Sequence, residues 1–83
     1  MNKIILQVYV PALGERYEMK IPRQLKVKQV TDIVSDYINN LGTGKYVPGD
    51  GAVLCDAVRG RAYSPNAFVE QLGLRNGDEI LLI

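Results

Sequence analysis

The chain contains no histidine and a single cysteine, Cys55. Without histidine it has no usual general base, no imidazole metal ligand and no side chain that titrates near neutral pH in its ordinary state. One thiol cannot close an internal disulfide, and it cannot build a four-ligand zinc or iron–sulfur site. No apolar run approaches the ~20 residues of a membrane span. The opening segment MNKIILQVYVPALGER has no small-residue cleavage site, so it reads as a strand and a turn rather than a signal peptide. Charge of one sign is also missing: ten basic and nine acidic residues leave a net +1. That is not the field of a nucleic-acid or membrane-surface binder. These absences predict a cytoplasmic, cofactor-free protein that is not an enzyme, does not insert in membranes and does not bind nucleic acid.

What is present is an ordinary globular composition, 47% hydrophobic over 83 residues. It suits one domain spanning residues 1–83. The most organised stretch is Val27 to Leu41. At about 100° per residue, Val27, Val30, Ile33, Val34, Tyr37, Ile38 and Leu41 fall in one arc of roughly 140°, with every polar residue opposite. This predicts a helix whose whole apolar arc is buried. No Ser, Thr, Asp or Asn stands at its start, while Lys26 and Lys28 lie at the positive end of its dipole. Gly42 closes it as a C′ residue.

Before the helix, Ile4–Val10 and Arg16–Ile21 alternate, and Pro11 to Glu15 links them as a hairpin. Pro22 ends the second strand, since it cannot donate to a ladder. After the helix comes a glycine-rich loop, Gly42 to Gly51, then a short strand at Ala52–Cys55 and a turn at Asp56–Gly60. A brief edge strand follows at Arg61–Tyr63. A helical turn is expected over Ala67–Leu72, with Ser64 as cap and Pro65 at its first position. Asn76-Gly77 turns the chain into a last strand, Glu79–Ile83. The fold class predicted is α+β, a β-grasp: a mixed four- to five-stranded sheet with one long helix packed across it. The terminal strand, rich in Ile and Leu, is expected beside the first and parallel to it.

The run Gly60-Arg61-Ala62-Tyr63-Ser64, followed by Leu74, Ile80 and Leu82, resembles the last third of ubiquitin in order and spacing. The segment Leu72-Gly73-Leu74-Arg75-Asn76-Gly77-Asp78-Glu79-Ile80-Leu81 is closer still to the YukD/EsaB family, small ubiquitin-like proteins associated with type VII (WXG100) secretion. The lead-in Val27-Lys28-Gln29-Val30, then Ile33, looks like theirs too. Gly42–Gly51 and the surroundings of Cys55 match no pattern of that family. The resemblance implies a bacterial, cytoplasmic, non-enzymatic protein-interaction module, an accessory or regulatory component of the secretion machinery. The competing reading is a ubiquitin-like modifier or sulfur carrier. Those proteins need a flexible tail ending in Gly-Gly, whereas Leu81-Leu82-Ile83 reads as strand, so neither conjugation nor sulfur transfer is expected.

The chemistry-bearing candidates are few. Cys55 has no histidine to activate it and is expected to be a small buried hydrophobe. Gly42-Thr43-Gly44-Lys45 lacks the first glycine and the Ser or Thr of a phosphate loop, with Asn39 and Tyr46 at those positions. Lys20, Arg23, Lys26 and Lys28 form either an anion patch or, with Glu18 and Asp32 nearby, an ordinary solvated surface. The partner-binding candidates are apolar. If Ile80 and Leu82 face the helix, Leu81 and Ile83 face the other way. Leu54 (with Ala52, or else the alternate set Val53 and Cys55) and Ile5 are expected to join them there. Such a cluster would be a protein-docking surface, unless the chain's own loop or a homo-oligomer contact covers it.

Overall fold

The computed structural model describes residues 2–41 and 52–83. The element order is β1 (Lys3–Val10), β2 (Glu15–Pro22), α1 (Val27–Asn40), β3 (Leu54–Asp56), a 3₁₀ turn at Val69–Leu72, and β4 (Glu79–Leu82). The loop Gly42–Gly51, with the expected helix-closing Gly42 and the Gly42-Thr43-Gly44-Lys45 segment, lies outside the described residues.

The strands form one mixed sheet in the order β2-β1-β4-β3. β1 and β2 are antiparallel neighbours, β4 runs parallel to β1, and β3 returns antiparallel to β4. This is the β-grasp arrangement, with the last strand beside the first. The expected fifth strand at Arg61–Tyr63 is reduced to an isolated bridge between Ala62 and Cys55, extended by the Tyr63 N–H donating to Leu54 C=O at 2.9 Å. The hairpin places Val10 opposite Glu15, so four residues turn the chain, with Gly14 at φ +66° where a side chain would be strained. Pro22 sits at the end of an edge strand, where its missing N–H costs no ladder bond.

Alternation sends Ile4, Leu6, Val8 and Val10 of β1 to the helix side, where Ile21, Leu54, Ile80 and Leu82 join them in the core. α1 covers this face with Val27, Val30, Val34 and Ile38. The helix departs from expectation in its rotation. Thr31 and Ser35 are buried, while Ile33, Tyr37 and Leu41 are between 46% and 48% exposed. The buried arc is turned about 60° from the centre of the apolar arc. Thr31 accepts burial because its Oγ1 donates to Val27 C=O at 2.9 Å.

The uncapped helix start has a tertiary explanation. The N–H groups of Val27 and Lys28 donate to the carbonyls of Ala67 (2.8 Å) and Pro65 (3.0 Å). The Gln29 side chain turns back and accepts from the Lys26 N–H at 2.9 Å. Further on, Val69 N–H donates to Leu25 C=O and Glu70 N–H to Arg23 C=O. Residues 64–68 thus form a turn, closed by the Ala67 N–H donating to the Ser64 C=O at 3.1 Å, that is pinned against the helix start. The expected helical turn loses its first residues for that reason: it begins at Val69 with Phe68, not Ser64, at the cap position, and ends at Gly73 in the left-handed region.

The Asn76-Gly77 turn is docked on β1. Asn76 Oδ1 accepts from the Ile5 N–H at 2.9 Å, and Gly77 N–H donates to Ile5 C=O at 2.8 Å. Asp78 Oδ2 closes the turn by accepting from Arg75 N–H at 2.9 Å, and the Asp78 carbonyl receives the Gln7 N–H. Asn76→Ala leaves Ile5 N–H without this acceptor. It is expected to lower unfolding stability by about 1 kcal/mol in urea titrations followed by circular dichroism.

Candidate docking site on the open face of the sheet

The face of the sheet away from α1 carries Ile5, Gln7 and Tyr9 of β1, Arg16, Glu18 and Lys20 of β2, and Glu79 and Leu81 of β4. Leu81 is opposite Tyr9 on one side and Cys55 on the other. Ile83 exchanges two 2.9 Å backbone hydrogen bonds with Val53, and the two side chains are 60% and 39% exposed. Tyr9, Leu81, Ile83 and Val53 therefore make a small apolar patch at one end of the face.

The four sequence candidates are not brought together. Leu81 and Ile83 are neighbours on the open face. Ile5 shares that face but lies about 13 Å along the strands from Tyr9, behind the polar pair of Gln7 and Glu79. Leu54 belongs to the opposite side: it pairs with Leu82 and is buried in the core. The β3–β4 register decides this, since a strand of period two that opposes Leu54 to Leu82 must put Val53 and Cys55 with Leu81 and Ile83. The sequence missed Tyr9, and it named Val53 only as the alternative to the set with Leu54. Tyr9 alternates with Ile5 and is readable once β4 is set beside β1, but no sequence signal chooses between the two sets of β3.

Polar groups rim the patch. Arg16 Nε lies 2.8 Å from Glu79 Oε2, and its guanidinium sits 4.6 Å from the Tyr9 ring centroid. Gln7 Nε2 donates to Glu18 Oε1 at 3.0 Å. With side chains 60% and 35% exposed, the Arg16–Glu79 pair stabilises by at most about 1 kcal/mol. Its stronger effect is to hold Arg16 over Tyr9 and fix one edge of the patch.

Cys55 is buried beside Leu81, and that burial pushes its thiol pKa up. This is the opposite of what a nucleophilic thiolate needs. Tyr63 is also raised, first by burial and then by Asp56, Asp78 and Cys55. Both it and Asp78 line a cleft with Leu74 and Glu79. The basic residues of the hairpin–helix junction do not converge. Lys20 is on the open face, Lys26 reaches over the Phe68 ring at 5.8 Å, and Lys28 lies on the helix flank toward β3. Among the described residues no three His, Cys, Asp or Glu side chains are grouped to hold a metal ion, and no helix is long and apolar enough to cross a membrane.

No family model and no curated protein matches the chain. Solved structures do. The whole chain superposes on part of a component of the MycP5-free ESX-5 inner membrane complex, TM-score 0.79 at 15% identity, and spans 21% of that component's length. It covers 100% of itself and 94% of the EccD5 ubiquitin-like domain from Mycobacterium xenopi, TM-score 0.77 at 13% identity. Against Caldiarchaeum subterraneum ubiquitin the TM-score is 0.76 at 22% identity, covering 98% and 91% of the two chains. At these identities the likeness is one of fold, and the class it defines is the ubiquitin-like β-grasp domain.

Two variants test the face assignment. Leu54→Ala is expected to cost about 2–4 kcal/mol in denaturant melts, and Val53→Ala less than about 1 kcal/mol. The raised thiol predicts a pH effect as well. The unfolded Cys55 ionises at lower pH than the folded one, so stability is complete below the ordinary thiol range and declines as pH rises through it. Melts between neutral and alkaline pH, compared with Cys55→Ala, measure the contribution.

Proposed function

We propose that this chain is a non-enzymatic protein-docking module, working as an accessory or regulatory component of a bacterial type VII (WXG100) secretion system. The observation that carries the docking role is the patch of Tyr9, Leu81, Ile83 and Val53, apolar and rimmed by fixed charges on the side of the sheet that α1 leaves open. Burying such a patch against a partner removes apolar surface from water, while the rim selects orientation. The secretion role rests on the YukD/EsaB resemblance of the Leu72–Leu81 segment. It is supported by the fold's presence in the ESX-5 inner membrane complex. The sequence offers no histidine for catalysis, and its only thiol is buried.

The test is affinity purification of the tagged protein from its native host, run native and denatured, beside a Leu81→Asp variant. Secretion-machinery proteins are expected to co-purify non-covalently with the wild-type chain at its unmodified mass. The variant should keep the wild-type circular dichroism melt and lose at least about tenfold of that recovery. A denaturation-resistant ladder of larger bait-containing species would instead make the chain a covalent modifier.

A further inference from the structure

The outer edge of β2 has no strand beside it among the described residues. β1 turns the C=O of Ile5 and the N–H of Gln7 toward the β4 side. Its even-numbered residues therefore bond β2, through Ile21, Met19, Tyr17 and Glu15. That leaves the backbone groups of Arg16, Glu18 and Lys20 aimed outward from the sheet. The side chains of Tyr17 and Met19 lie on the helix side, half-buried.

The exposed helix flank overhangs this edge. Val27, Lys28, Thr31 and Asp32 line a groove together with Ala52, Val53 and Leu54, so that flank of α1 faces the β3 side. Ile33, Tyr37 and Leu41 are on the other flank, toward β2. An unpaired strand edge and an unburied apolar ridge thus lie side by side.

We propose that this surface is filled by a second copy of the chain, the two β2 strands pairing antiparallel about a two-fold axis at Met19. A two-fold axis normal to the sheet keeps helix-side residues opposite helix-side residues. Met19 then meets the second copy's Met19, and Tyr17 meets its Ile21. On the open face Glu18 meets the second copy's Lys20, and Lys20 its Glu18. Both of these are hydrogen-bonded positions of the new ladder, because their backbone groups already point outward. Lys20 has no carboxylate partner among the described residues, so this pairing gives it one. Pro22 falls opposite Arg16 at the limit of the ladder, where it accepts from the Arg16 N–H and only the reciprocal bond of that terminal pair is lost. An axis at Glu18 would set Glu18 on itself and Arg16 on Lys20, which repel. An axis at Tyr17 would shorten the overlap and compete for Arg16, already held by Glu79 and Tyr9. The Met19 register yields one continuous sheet and brings the two Ile33–Tyr37 ridges toward each other across the seam. This interface uses a different edge from the open-face patch and does not rest on the docking role.

Sedimentation velocity and native mass spectrometry of the full chain, from micromolar concentrations to about 1 mM, test it. The wild-type protein is expected to reach twice its 9.2 kDa mass. Glu18→Lys and Lys20→Glu, each alone, set like charges opposite one another twice and should weaken the dimer about tenfold. An equimolar mixture of the two variants should restore association as a heterodimer, and the double variant should recover the wild-type affinity. Unchanged circular dichroism melts of the single variants exclude misfolding as the cause. A wild-type chain that stays monomeric throughout, or a dimer indifferent to both charge reversals, overturns the proposal. So does a monomer whose β2 edge takes up an extended segment of a different protein.

Discussion

The two hydrogen bonds between Ile5 and the Asn76-Gly77 turn set the frame for everything after them in the sheet. They fix where the chain re-enters beside β1, and therefore that Val8 opposes Ile80 and Tyr9 opposes Leu81. From that register the two faces of β4 are decided, because a shift of one residue would exchange buried Ile80 and Leu82 for Leu81 and Ile83. β3 inherits its register from β4, and the placement of Leu54 and Cys55 follows. A polar side chain and a glycine at φ +91° thus determine which apolar residues form the core and which form the patch.

The helix illustrates a different constraint. Its apolar arc is centred about 60° away from the strip the sheet covers, so burying Val27, Val34 and Ile38 leaves Ile33, Tyr37 and Leu41 at the β2 flank. A helix belonging only to its own core would have polar residues there. Half-exposed apolar side chains beside an unpaired edge strand are what the proposed pairing of two β2 strands would cover. The open-face patch around Leu81 is rimmed by one ion pair, Arg16–Glu79, and by the Gln7–Glu18 hydrogen bond, the polar border that a docking surface carries. The patch centres on β4 and the end of β3, whereas the proposed seam runs along β2 at the other edge of the sheet.

The sequence by itself determined the β-grasp. Period-two alternation in Ile4–Val10 and Arg16–Ile21, the long amphipathic run from Val27, and a final strand too apolar for a sheet edge together admit few other topologies. It also placed Leu81 and Ile83 on the side away from Ile80 and Leu82, because alternation within a strand is a local property. Only the tertiary structure decided what depends on pairing between distant segments. Leu54 moved to the core through its register with Leu82, and Ser64 lost its cap role because residues 64–68 are pinned in a turn against the helix start. The apolar arc of α1 turned partly outward because the sheet, not the helix, sets which strip is buried. Each of these outcomes is fixed by hydrogen bonds or packing between residues tens of positions apart, and local propensity carries no information about such partners.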